Sequence, residues 1–164
     1  MVRVEPARLE WLDALSDSDA TFTERFGADV APGWIGFPEA LAHARRAAEA
    51  HDVDPWGSHL IFDDDGTLVG FGGFKGPPVG GEVEIGYAVA PSRRGRGVAT
   101  AAAGAMVDRA RDAGVGRVVA HTLPEAGAST AVLARCGFVH VSSGADPDGD
   151  VSGDVWRWEL PLDP

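Results

Sequence analysis

The chain has 164 residues, 45% apolar and 24% charged, with a net charge of −11, values that fit one domain spanning residues 1–164 and exclude wholesale disorder. The acidic balance repels phosphate, which argues against a nucleic-acid partner and weakly favours cationic substrates such as amines. No apolar run is long enough to span a bilayer, and Met1 to Pro6 lacks the apolar stretch of a secretory signal, so a cytoplasmic protein without membrane contact is expected.

Val2 to Val4 reads as a short strand and Glu5 to Ser16 as a helix, with Leu9, Leu12 and Leu15 near helical spacing. Ser18 to Gly27 and Phe37 to Ala50 read as two more helices. Leu41, Ala44 and Ala48 form an apolar face on the second. Trp11, Trp34 and Trp56 are core residues or the lining of a pocket. From Trp56 onward the pattern sharpens. Ser58 to Asp63 and Thr67 to Lys75 read as two strands joined by the turn Asp64-Asp65-Gly66. Glu82 to Ala90 is a third strand. Val98 to Ala113 is a helix with Val98, Ala102, Ala105 and Met106 as its apolar positions, and Gly114 stands where a left-handed cap belongs. Arg117 to Thr122 is a strand and Ala128 to Cys136 a helix closed by Gly137. Phe138 to Ser142 and Val155 to Leu160 complete the sheet. Trp156 and Trp158 are expected on one face of that last strand. Cys136 is the only cysteine, so no internal disulfide forms; its apolar helical setting predicts a packed thiol. The order predicts an α/β (α+β) fold with one central mixed sheet of six to seven strands, flanked by helices.

The turn Arg94-Gly95-Arg96-Gly97 between a strand and a helix carries the chemistry. Backbone N–H groups at a helix start have no partner inside the helix and carry the positive end of its dipole. They therefore hold anions, and glycine lets phosphate oxygens approach the backbone. Neither the Gly-x-Gly-x-x-Gly fingerprint nor a Gly-Lys-Ser/Thr P-loop occurs, so the turn alone means an anion at a helix start. A nucleotide-phosphate binder satisfies that physics as well as any other phosphate site.

The surrounding residues narrow it. Val83-Glu84-Ile85-Gly86-Tyr87-Ala88-Val89-Ala90-Pro91, followed by Arg94-x-x-Gly97-x-Ala99, resembles the acetyl-CoA loop of the GNAT acyltransferase superfamily. Leu123-Pro124-Glu125-Ala126-Gly127-Ala128-Ser129 and Cys136-Gly137-Phe138 resemble the branch of ribosomal-protein N-terminal (Rim-type) acetyltransferases. The resemblance covers Trp56 to Leu160. It implies a sheet splayed beside the strand that precedes the loop. It implies that the amides of Arg94, Gly95, Arg96, Gly97, Val98, Ala99 and Thr100 hold the CoA diphosphate. Tyr87, Ala88 and Val89 would pair with the pantetheine arm, and Ser129 is a hydroxyl near the donor. One departure stands out: where the family has Asn after Pro-Glu, this chain has Ala126.

Amide formation needs a neutral amine, yet α-amino groups titrate near about 8 and lysine near about 10.4, so a base helps. Related enzymes often use a carboxylate on the strand before the loop, which points to Glu84, with Glu82 two residues away on the same face. His121 on the next strand is the second candidate, and a water relay stays open. Tyr87, the only tyrosine, is expected to pack rather than act as an acid. His43, His51, His59 and His140 show no metal-ligand spacing, so no metal is expected. The resulting expectation is an acetyl-CoA-dependent N-acetyltransferase acting on a primary amine, either a protein N-terminus or a small molecule; a homodimer is compatible with it. A non-catalytic acyl-CoA-binding module on the same fold is the alternative.

Overall fold

The computed structural model describes residues 1–149 and 151–163. Strand β1 (Arg3–Pro6) leads into helices α1 (Leu9–Asp17), α2 (Asp19–Phe26) and α3 (Pro38–Ala50). Strands β2 (Ser58–Phe62), β3 (Leu68–Phe74) and β4 (Glu82–Val89) follow. Next come α4 (Val98–Asp112), β5 (Arg117–Thr122), α5 (Ala128–Arg135), β6 (Val139–Ala145) and β7 (Asp154–Pro161). The seven strands form one mixed sheet in the order β1-β2-β3-β4-β5-β7-β6. The β4–β5 pair is parallel, and the other strand pairs are antiparallel.

Local chemistry sets the boundaries. Ser18 caps α2, its hydroxyl accepting from the Thr21 N–H at 3.0 Å, and Gly27 ends that helix at φ +72°. The helix expected from Glu5 starts only at Leu9. Glu5 and Pro6 belong instead to β1, opposite Leu60 and His59, because the Leu9, Leu12 and Leu15 spacing itself begins at Leu9. Ala105 is exposed, and Ala103, Val107 and Ala110 are buried with Val98, Ala102 and Met106. At 100° per residue Ala105 falls just outside the buried arc, on the far side of Val98.

Each face of the sheet has its own core. Helices α4 and α5 cover one face, packing Met106, Val107 and Leu133 on Phe74, Val83, Ile85, Val118 and Ala120. Helices α1 to α3 cover the other at the β1–β3 end, packing Leu12, Phe22 and Ala44 on Leu60, Phe62 and Leu68. Gly73 in β3 has φ +132°, and a Cβ there would collide with the Gly57 carbonyl, so the strand crosses this point only as glycine.

The tryptophans belong mostly to these cores. Trp11 meets Phe22, Phe26 and Phe62 edge-on, and Trp34 is buried beside Phe71. Trp56 packs on Phe74, its ring centroid 4.9 Å away. Trp156 and Trp158 share one face of β7, where His140 stacks on Trp156 with ring centroids 4.5 Å apart. Cys136 is half-buried against the Thr100 carbonyl, and burial pushes its thiol pKa up, as a packed thiol requires.

Candidate active site

Pairing between β4 and β5 runs through Glu82↔Arg117, Val83↔Val118 and Glu84↔Val119 and then stops. Beyond Glu84 the strands diverge, and β4 stays paired only with β3, from Ile85↔Phe74 to Val89↔Gly70. The fork opens a cleft of about 410 Å³ lined by Tyr87, Ala88, Val89, Arg94, Ala99 and Ser129, and also by Thr122, Leu123 and the 125–128 segment. Ala126 lies in its wall.

The loop after β4 shapes the far end. Gly95 and Gly97 both adopt the left-handed region, at φ +75° and +80°, and Gly97 immediately precedes α4. The Ala101 N–H is the first to bond back, to the Gly97 carbonyl at 3.0 Å. The Arg94 N–H, expected in the cradle, instead donates to the Pro91 carbonyl at 3.4 Å, whereas among the described residues the N–H groups of Gly95 through Thr100 have no backbone partner outside the helix ladder. The Val98 side chain is buried in the core, so only its backbone faces outward. Arg94 turns back, its Nε donating to the Val89 carbonyl at 3.1 Å, while Arg96 stays exposed. Ser129 is exposed at the start of α5, and its carbonyl lies 3.4 Å from the Tyr87 hydroxyl. Burial first, and the Cys136 thiol second, push the Tyr87 phenol well above its ordinary range.

The two candidate bases meet at the root of the fork. His121 Nδ1 lies 3.0 Å from Glu84 Oε2, with side-chain exposures of 11% and 19%. Parallel pairing explains this: Val119 lies opposite Glu84, and His121 is two residues further along the same face. Lys75 Nζ lies 3.0 Å from the same carboxylate oxygen and also donates to Asp148. Burial pulls the Lys75 ammonium down, but hydrogen bonds to Asp148 and Glu84 outweigh it and hold the group at about 12. Glu82 does share the Glu84 face, but Arg117 and Arg157 engage it in a separate network. With Nδ1–H donating to Glu84, His121 Nε2 is an acceptor without a partner among the described residues.

A second cleft, of about 490 Å³, adjoins the first and shares Tyr87 and Ala88 with it. Ile35, Phe37 and Phe71 supply its apolar wall, and Lys75 and Asp148 its charged rim. The chain order hid Lys75 and Asp148, which are 73 positions apart. Among the described residues no group of three or more His, Cys, Asp or Glu side chains gathers as metal ligands, and no helix is long and apolar enough to cross a membrane.

A mixed sheet forked beside a glycine-rich helix start defines the acetyltransferase class of α/β fold. The acetyltransferase (GNAT) domain family matches residues 4–139, and the chain belongs to that family. No curated protein sequence matches it. Among solved structures it is similar to Mycobacterium smegmatis RimJ in complex with CoA-disulfide, at 25% identity and TM-score 0.68 over 98% of this chain and 81% of that one. It is also similar to the ribosomal-protein-alanine N-acetyltransferase of Brucella melitensis, at 20% identity and TM-score 0.66 over 99% of each chain. A phosphinothricin acetyltransferase from Sinorhizobium meliloti in complex with AcCoA matches at 17% identity and TM-score 0.67, over 98% of this chain and 88% of that one. The likeness to RimJ accords with the resemblance to the Rim-type branch, and the other two share the fold.

Proposed function

We propose that the protein is a cytoplasmic N-acetyltransferase that moves the acetyl group of acetyl-CoA to a primary amine. The observation that carries this reading is the fork, with an N–H cradle at one end and a carboxylate–imidazole pair at its root. The cradle suits a diphosphate: six successive N–H groups, two glycines with positive φ, and the start of a 15-residue helix. The unpaired edge of β4 at Tyr87 to Val89 suits an amide-bearing arm that adds as a strand. Ser129 and Arg94 flank that path.

Acetyl-CoA supplies the activated thioester. The amine nitrogen forms the new C–N bond, the C–S bond breaks, and CoA leaves as the thiolate. The proton released from the amine goes to His121 Nε2, directly or through one water. Glu84 holds the imidazole in the tautomer that leaves Nε2 free to accept, and Lys75 fixes the Glu84 carboxylate. The sequence offered Glu84 and His121 as rival bases; the reading favoured here gives them different parts of one device.

The test is CoA thiol release with acetyl-CoA across a panel of primary amines, for the wild type and His121→Ala. Turnover in the wild type and its collapse in the variant, with acetyl-CoA affinity kept, is the expected result. Tight acetyl-CoA binding with no turnover on any amine would favour a non-catalytic acyl-CoA-binding module.

A further inference from the structure

The 490 Å³ cleft beside the fork is lined by Lys75, whose ammonium meets the Glu84 carboxylate that holds His121, and its wall is selective. Phe37 is 71% exposed at its mouth, and Phe71 and Ile35 extend the same apolar surface. Lys75 is the only lysine or arginine among the residues lining it. That ammonium is already committed twice, to Asp148 and to Glu84. The rim pair Lys75 and Asp148 balances, and Glu84, which meets Lys75 from outside the cleft lining, adds a second carboxylate and a surplus negative charge. A carboxylate next to the reacting amine would find no uncommitted lysine or arginine among the described lining residues and two anions close by. The distal ammonium of a polyamine would extend past that rim along the wall of Ile35, Phe37 and Phe71, where no carboxylate besides Asp148 is among the described lining residues.

We infer that the acceptor is a primary monoamine bearing an apolar side group and no carboxylate beside the amine. This rests on the acetyltransferase reading above and deepens it. An uncharged amide or hydrogen at the carboxyl position satisfies the rim, and the apolar group covers Phe37 and Phe71. The acceptor enters as an ammonium, attracted by the surplus charge; it gives one proton to solvent to become the neutral nucleophile, and the second goes to His121 Nε2 as the C–N bond forms.

The experiment compares L-phenylalaninamide, L-phenylalanine and spermidine by kcat/KM, with acetyl-CoA binding to the free protein and amine binding to the CoA-saturated protein both followed by calorimetry. The amide is expected to exceed the acid and the polyamine by at least about tenfold, in kcat/KM and in affinity. Asp148→Asn, at an exposed position, releases one hold on Lys75 and is expected to narrow the amide-to-acid ratio several-fold. An acid that equals or beats the amide overturns the inference, as does an unchanged ratio in Asp148→Asn. Acetyl-CoA binding with all three amines inert overturns the acceptor class alone. Absence of acetyl-CoA binding instead brings down the acetyltransferase reading on which it rests.

Discussion

His121 and Glu84 are joined across the root of the fork by a hydrogen bond of 3.0 Å, with Nδ1 facing Oε2. One nitrogen of the ring is thereby fixed as donor and the other left as acceptor. If Nε2 takes the amine proton, His121→Ala lowers kcat by roughly 10²–10⁴-fold with little change in KM for acetyl-CoA. Glu84→Gln keeps the shape but removes the charge that selects the tautomer, so a smaller fall in kcat is expected. Ring ¹⁵N shifts of His121 then report a mixture of tautomers, which a merely structural role for Glu84 would not produce. A Glu84→Gln variant with wild-type kcat and an unmixed tautomer would remove Glu84 from the device.

Gly97 tests the donor end. Its φ of +80° is one that a β-branched residue resists, and the space around it is open in the protein alone. Gly97→Val therefore strains the turn and places a branched side chain where diphosphate oxygens would approach the N–H groups. The fold should survive, because the site is at the surface and the helix behind it is long. Acetyl-CoA affinity measured by calorimetry is expected to drop at least about tenfold, or about 1.4 kcal/mol. Unchanged affinity would place the diphosphate elsewhere.

Tyr87 lines both clefts, which would suit an acid that protonates the leaving thiolate. Its phenol is held well above its ordinary range by burial, and the contact with the Ser129 carbonyl is long at 3.4 Å. A thiolate with a pKa of about 8.5 needs little help in leaving. Tyr87→Phe is thus expected to retain kcat within about threefold, measured with saturating acetyl-CoA and amine. A loss above about a hundredfold would make the hydroxyl a participant.

Much of this site was legible in the residues. The strand, turn and helix around Gly97 follow from glycines at required backbone angles and from small apolar residues at helical spacing, both local properties. Glu84 and His121 stood out through their chemistry and their strands. Their contact did not, because it depends on β4 and β5 running parallel with Val119 opposite Glu84. Lys75 and Asp148 were invisible for a stronger reason. A lysine at a strand end and an aspartate in a Gly-Asp loop each look like solvated charges, and only the tertiary approach of Asp148 to Lys75 joins them. The start of α1 was misplaced because Glu5 and Pro6 are held by pairing with β2, a partner more than fifty residues away.

His59 predicts an acid-sensitive fold. It is buried on β2, its Nδ1–H donating to the Gly57 carbonyl at 2.9 Å, and Nε2 has no hydrogen-bond partner among the described residues. Burial drives its pKa down from 6.5 to about 4; the Gly57 carbonyl opposes that fall and the Arg109 charge adds to it. The folded pKa lies below the unfolded one, so between these values the unfolded chain binds more protons. Stability is therefore whole above about pH 6.5 and is lost as pH falls toward about 4. A gap of about 2.5 units at about 1.4 kcal/mol each makes the loss on the order of 3 kcal/mol. Urea unfolding between pH 4 and 7 should show that slope. His59→Phe removes the titrating group and keeps an apolar ring, so the slope should flatten even if stability at pH 7 drops as the Gly57 carbonyl loses one of its two donors and keeps the Phe74 N–H. A slope unchanged in His59→Phe would assign the acid sensitivity to other groups.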